Sequence, residues 1–89
     1  MLIYIHDLKT ARAYLPHFSG EKEEDPMRFI SNSECIMQQA NIHKSAWVRT
    51  IEPQLTRIAF DWWKTIRALD LSWSEFKGEL TERFDNTDI

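Results

Sequence analysis

The side chains able to do chemistry in this 89-residue chain are few and scattered. His6, His17, His43 and the lone Cys35 are the soft or borderline metal ligands, and no pair of them falls at a ligand spacing. Gly20 and Gly78 are the only glycines, too few for a phosphate-cradling loop. Serines, cysteine and histidines follow no order that supports a nucleophile–base–acid triad, which is in any case recognised by geometry. Glu79 and Glu82 lie one helical turn apart, a pattern that fits a solvated face better than an acid–base dyad. No ionisable group has an activating neighbour in view. The expectation is therefore a non-enzymatic protein with no cofactor and no metal.

Recognition is the remaining chemistry, and it centres on aromatic rings. Residues 52–76 hold Trp62, Trp63 and Trp73, and Leu55, Ile58, Ala59, Trp62, Ile66 and Leu69 recur at three- and four-residue steps. That spacing predicts one helical face, with Trp62 in the core. Trp63 lies one position round, divided between core edge and partner-binding surface. Arg57, Lys64 and Arg67 interleave with these indoles, as a base-stacking platform would require. The charge balance opposes nucleic acid: net charge is −3, and the basic excess of residues 26–69 contains no run of Lys or Arg.

The elements that position these rings can be read in order. Leu2, Tyr4 and their neighbours favour an extended strand, and Asp7 can cap a short helix carrying Leu8, Ala11 and Leu15. Pro16 ends that helix, Phe18 is a core anchor and Gly20 permits a sharp turn. After an acidic loop, Asp25-Pro26 starts a helix over about 26–40, with Phe29, Ile30, Ile36, Met37 and Ala40 apolar, Ser33 inward and Asn41 as the stop. A short helix near 45–52, capped by Ser45, carries Trp47, Val48 and Ile51. Pro53 then opens a helix over about 53–69. Ser72 and Glu75 form a capping box for a last helix, whose inward stripe is Trp73, Phe76, Leu80 and Phe84. Gly78 inside that helix suggests close packing.

This is an all-α chain: a compact bundle of four to five short helices with an extended N-terminal segment. The domain plan is an extension over 1–14, a lobe over 15–85 and a frayed end over 86–89. The core set is Phe18, Phe29, Ile36, Leu55, Ala59, Trp62, Ile66, Trp73, Phe76, Leu80 and Phe84. No apolar run approaches the roughly 20 residues of a membrane-spanning helix, and a single cysteine excludes an intrachain disulfide, which fits a reducing compartment.

The order Leu15-Pro16-x-Phe18-Ser19-Gly20, acidic loop, Asp25-Pro26-x-x-Phe29-Ile30, Ala59-x-x-Trp62-Trp63, Trp73-Ser74-x-Phe76-Lys77 and Phe84 resembles the capsid N-terminal domain of Gag from gypsy-type LTR retrotransposons. It is also similar to the N-terminal lobe of Arc and other domesticated Gag proteins. The likeness covers residues 15–85. Glu52-Pro53 stands where that family often has a glycine or polar turn, and residues 1–14 have no counterpart. The resemblance implies a retroviral-type capsid lobe without enzymatic activity, intracellular and cytoplasmic or within capsid particles, whose partners are copies of itself or peptide segments of other proteins. RNA packaging is not implied, because no Cys/His knuckle is present. The expected interaction surface comprises Leu2, Tyr4, Trp47, Trp63 and Arg67. The apolar Leu2–Ile5 segment has three options: packing on its own domain, exchange into a second copy, or lining a site for a partner's extended peptide. A peptide-binding module and a helical nucleic-acid binder are the alternatives to self-assembly.

Overall fold

In the computed structural model, residues 13–85 are described. Four α-helices follow one another: α1 (Pro26–Gln39), α2 (Trp47–Ile51), α3 (Arg57–Ile66) and α4 (Trp73–Phe84), with 3₁₀ turns at Lys44–Ala46, Glu52–Gln54 and Arg67–Leu69. The fold is all-α, and no strand is formed among the described residues. The strand or short helix expected over residues 1–14, and the frayed end over 86–89, fall almost entirely outside the described residues.

Helix α1 begins as its sequence dictates. The Asp25 carboxylate accepts the Met27 N–H at 3.0 Å, and Pro26 occupies the first turn, where a missing N–H costs nothing. Asn41 ends it in the left-handed region at φ 57°. The Asn41 N–H then reaches Gln38 O and the Ile42 N–H reaches Met37 O, the paired bonds of a Schellman stop. Inside the helix, buried Ser33 donates to Phe29 O at 2.7 Å, so its hydroxyl is satisfied within a core position.

The segment between α1 and α3 departs from expectation. Ser45 is not the cap. His43 Nδ1 accepts the Ser45 N–H at 3.2 Å and opens a 3₁₀ turn, and α2 proper starts only at Trp47. The single helix expected over 53–69 is divided. Glu52–Gln54 forms a 3₁₀ turn, Leu55 and Thr56 are extended, and Arg57 enters α3 at φ 50°. The cause is a long-range backbone clamp. Phe18 N–H donates to Gln54 O at 3.0 Å, Thr56 N–H to Phe18 O at 2.9 Å, and Ala59 N–H to Ser19 O at 2.9 Å. These bonds pair Phe18 with Leu55 as an isolated parallel bridge and satisfy an N–H in the first turn of α3 that its own helix leaves orphaned. Buried Gln54 extends the clamp by donating to Leu15 O and Pro16 O.

This break resets the phase of α3. The fully buried positions are Ala59 and Trp63, whereas Trp62 and Ile66 are half-buried. Ile58 and Leu69, expected on the inward face, are 43% and 64% exposed. Leu55 is buried, but from extended backbone, so its spacing to Ile58 carries no helical meaning.

Helix α4 holds the capping box: Glu75 N–H donates to Ser72 Oγ, and Ser72 N–H to Glu75 Oε1. Trp73, Phe76, Leu80 and Phe84 are buried along one stripe. Ring contacts run through the interior: Phe29 stacks on Phe18, Phe18 meets Phe84 edge-on, Phe84 meets Trp62, and Phe76 joins Trp63 and Trp73, which meets Trp47. Such offset and edge-on pairs each add about 0.5–1.5 kcal/mol beyond area burial. Ile36 lies half-buried against this core.

The close packing expected at Gly78 is absent: a Cβ there would meet nothing within 4 Å. Gly78→Ala is thus expected to raise stability by about 0.5–1 kcal/mol through helix propensity. Thermal unfolding would show it as a higher Tm, and a lower one would mean that the space above Gly78 has to stay open.

Candidate interaction surface

The expected surface residues fare differently. Leu2 and Tyr4 lie outside the described residues. Trp47 is 6% exposed, and its indole N–H donates to Ile42 O at 2.9 Å. Trp63 is 2% exposed. Neither indole can present a face to a partner, so both leave the expected contact surface. Arg67 remains half exposed at the side chain. Trp62, expected in the core, is half-buried instead. Of the four tryptophans it alone has no indole N–H partner among the described residues.

Two buried indoles are tied to carboxylates in the same way. Trp63 Nε1 donates to Glu52 Oε2 at 2.7 Å, while Arg67 Nη2 donates to Glu52 Oε1 at 3.2 Å. Trp73 Nε1 donates to Glu34 Oε2 at 2.7 Å, and Lys77 Nζ to the same oxygen at 3.0 Å. In both, the cation stands four residues after the tryptophan, so one helix face offers indole and cation together to a carboxylate from another element. The first links α3 to the turn after α2, and the second links α4 to α1. The repeated Trp-x-x-x-Arg/Lys spacing was visible in the sequence. The carboxylates were not, because they come from 11 and 39 residues away.

Glu34 shows the electrostatic consequence. Partial burial pushes its pKa up, but hydrogen bonds from Trp73 and Lys77 and the charges of Lys77 and Lys44 outweigh this and hold it below the usual carboxylate value. Glu24 behaves alike: burial raises it, and the Ser19 hydroxyl with the N–H groups of Glu21, Ser19 and Gly20 more than offset the rise. A carboxyl lowered in the folded state binds protons more weakly there than when unfolded. Its stabilisation is present above the unfolded value, near 4.5, and is lost as pH falls through the folded value. Glu34→Gln is expected to cost about 1 kcal/mol at neutral pH, roughly 4–8 °C in Tm. The deficit should shrink as pH falls through the folded value, where wild-type Glu34 becomes protonated as well. A deficit independent of pH would assign the loss to packing.

Several large apolar side chains are exposed on the outer surface. Ile58 and Phe60 flank the buried stripe of α3, Leu69 projects from the turn after it, and Met27 stands out from α1 at 56% exposure. Between α1 and α4 runs an open groove of about 700 Å³ lined by Met27, Ile30, Ser31 and Glu34 on one side and Lys77, Gly78, Thr81 and Glu82 on the other. No group of His, Cys, Asp and Glu among the described residues is arranged to hold a metal ion. No helix among them is long and apolar enough to cross a membrane. No protein-family model matches the chain, and no match is found among the curated proteins or the solved structures.

Proposed function

We propose that this chain is a non-enzymatic, Gag-like capsid lobe that acts through protein–protein contacts, making weak lateral contacts with copies of itself in a shell. What supports the reading is the fate of the residues that carry the resemblance. Phe18, Phe29, Ala59, Trp63, Trp73, Phe76 and Phe84, scattered through the chain, are buried in one contiguous core, with Trp62 packed against it. The exposed apolar side chains Ile58, Phe60 and Leu69 then supply the lateral contact. Weak contacts of this kind gain strength when repeated through symmetry.

Sedimentation velocity over a wide concentration range tests the reading. The wild-type chain is expected to self-associate reversibly, and Leu69→Glu to weaken association about tenfold or more, a loss of about 1.4 kcal/mol or more, without lowering Tm. A chain that stays monomeric at millimolar concentration, or association indifferent to Ile58, Phe60 and Leu69 alike, would overturn it. A domesticated lobe that binds partner peptides is the second reading, favoured by the α1–α4 groove.

A further inference from the structure

The exposed apolar side chains of α3 fall on two flanks. At 3.6 residues per turn, Ile58 and Phe60 project roughly 160° apart round the helix. Ile58 shares its side with half-buried Trp62, one turn on. Phe60 shares the other side with Lys64, whose Nζ stands 5.1 Å from the centre of the Phe60 ring. One flat contact cannot cover both flanks of a single helix.

Between the flanks lies the outermost strip of α3: Arg57, Asp61 and Lys64, all exposed. Steps of four and three residues align them along the helix. Arg57 is engaged by Glu21 at 3.3 Å. Asp61 and Lys64 pair with each other at 3.3 Å, yet keep 74% and 53% of their side-chain surface in water. Leu69, 64% exposed, stands beyond Lys64. This order of charges complements itself in one orientation. A second copy laid parallel and in register sets Asp61 against Asp61 and Lys64 against Lys64. Laid antiparallel, about an axis between those two positions, it sets each Asp61 against the Lys64 of the other copy. Each carboxylate then accepts one cation from its own chain and one from the second, which makes a ring of four alternating charges. The same rotation places Leu69 of the second copy in the half of the contact where Phe60 stands. It sets Arg57 opposite exposed Ala68 and not opposite another cation.

We infer that the outward face of α3, with Phe60 at its edge, is a twofold contact between copies of this chain, in which the two α3 helices run antiparallel and each Asp61 meets the Lys64 of the other copy. This contact rests on the self-association proposed above; what is new is the orientation of the second copy. A twofold contact uses the same patch on both copies and closes after two. Growth into a shell therefore needs a second contact, and the Ile58–Trp62 flank, left uncovered by the first, is placed to supply it.

Sedimentation velocity on the full chain tests the contact with Asp61→Lys and Lys64→Asp. Both side chains are exposed, so each variant is expected to melt close to the wild type. Each alone sets like charges opposite one another and is expected to weaken association about tenfold or more. Mixed in equal amounts, the two variants should associate again at near wild-type strength, because two lysines of one chain then face two aspartates of the other. In a head-to-tail contact these positions do not face each other, and mixing restores nothing. Association untouched by either variant, or lost without recovery on mixing, would overturn the inference. Self-association itself would still stand in that case if Leu69→Glu weakens it. A wild-type chain that stays monomeric would overturn both, and would mean that a different protein covers this face.

Discussion

Trp63→Ala should lower the unfolding free energy by about 3–5 kcal/mol, while Trp62→Ala should cost about 1–2.5 kcal/mol. The larger loss follows from what surrounds the Trp63 ring. It is 2% exposed, meets Phe76 edge-on at 5.4 Å between centroids, and donates its N–H to Glu52. Truncation removes the ring, leaves a cavity that helices from several elements cannot close, and takes a donor from a half-buried carboxylate. Trp62 makes its ring contacts with Phe84 and Phe76 but is only half-buried, so less apolar surface returns to water. A domain this small has a stability near the low end of about 5–15 kcal/mol, so the Trp63 variant should be largely unfolded at modest urea. Urea unfolding followed by far-ultraviolet circular dichroism measures both. Equal losses, or a larger loss for Trp62, would refute the phase assigned to α3.

Gly20→Ala is expected to be the second severe change, at about 2–4 kcal/mol. Two costs add at this position. Gly20 sits at φ 83°, in the left-handed region where a side chain is strained. A Cβ there would also stand 2.7 Å from Phe84 Cε1 and 3.1 Å from the Ala59 backbone nitrogen. Phe84 is buried against Phe18 and Trp62, so its ring has nowhere to retreat. The Ala59 nitrogen is held by its bond to Ser19 O, so relief would have to break the clamp. The variant should show a Tm depressed by roughly 8 °C or more. Faster hydrogen exchange at the Thr56 and Ala59 amides would locate the damage. Wild-type protection of both amides in the variant would show that the clamp does not depend on this turn.

The two glycines point in opposite directions, and the sequence alone could not separate them. Gly20 follows Pro16 and Phe18 in a short non-helical stretch, where a turn is the natural reading. Gly78 lies inside a strong helical pattern, and its lack of a close neighbour is a fact of three dimensions. The same division runs through the tryptophans. Trp73 is both capped and periodic within an unbroken helix, so its burial follows from Ser72, Glu75 and the spacing of Phe76, Leu80 and Phe84.

Local chemistry determined a good deal by itself. It set the all-α class, the Asp25-Pro26 start, the Asn41 stop, the Ser72–Glu75 cap and the buried stripe of α4, because each depends on residues within a turn or two of one another. Tertiary structure decided which indole of Trp62-Trp63 is buried, where Trp47 points, and which carboxylates receive the indole protons. The deciding contact is the backbone of Phe18 and Ser19 bonding to Gln54, Thr56 and Ala59. Backbone groups look alike in every residue, so a pairing between chain segments some 40 residues apart leaves no mark in side-chain periodicity. Its effect is to force Leu55 and Thr56 into extended geometry and to start α3 afresh, which turns the helix about its axis and exchanges the inward ring for its neighbour.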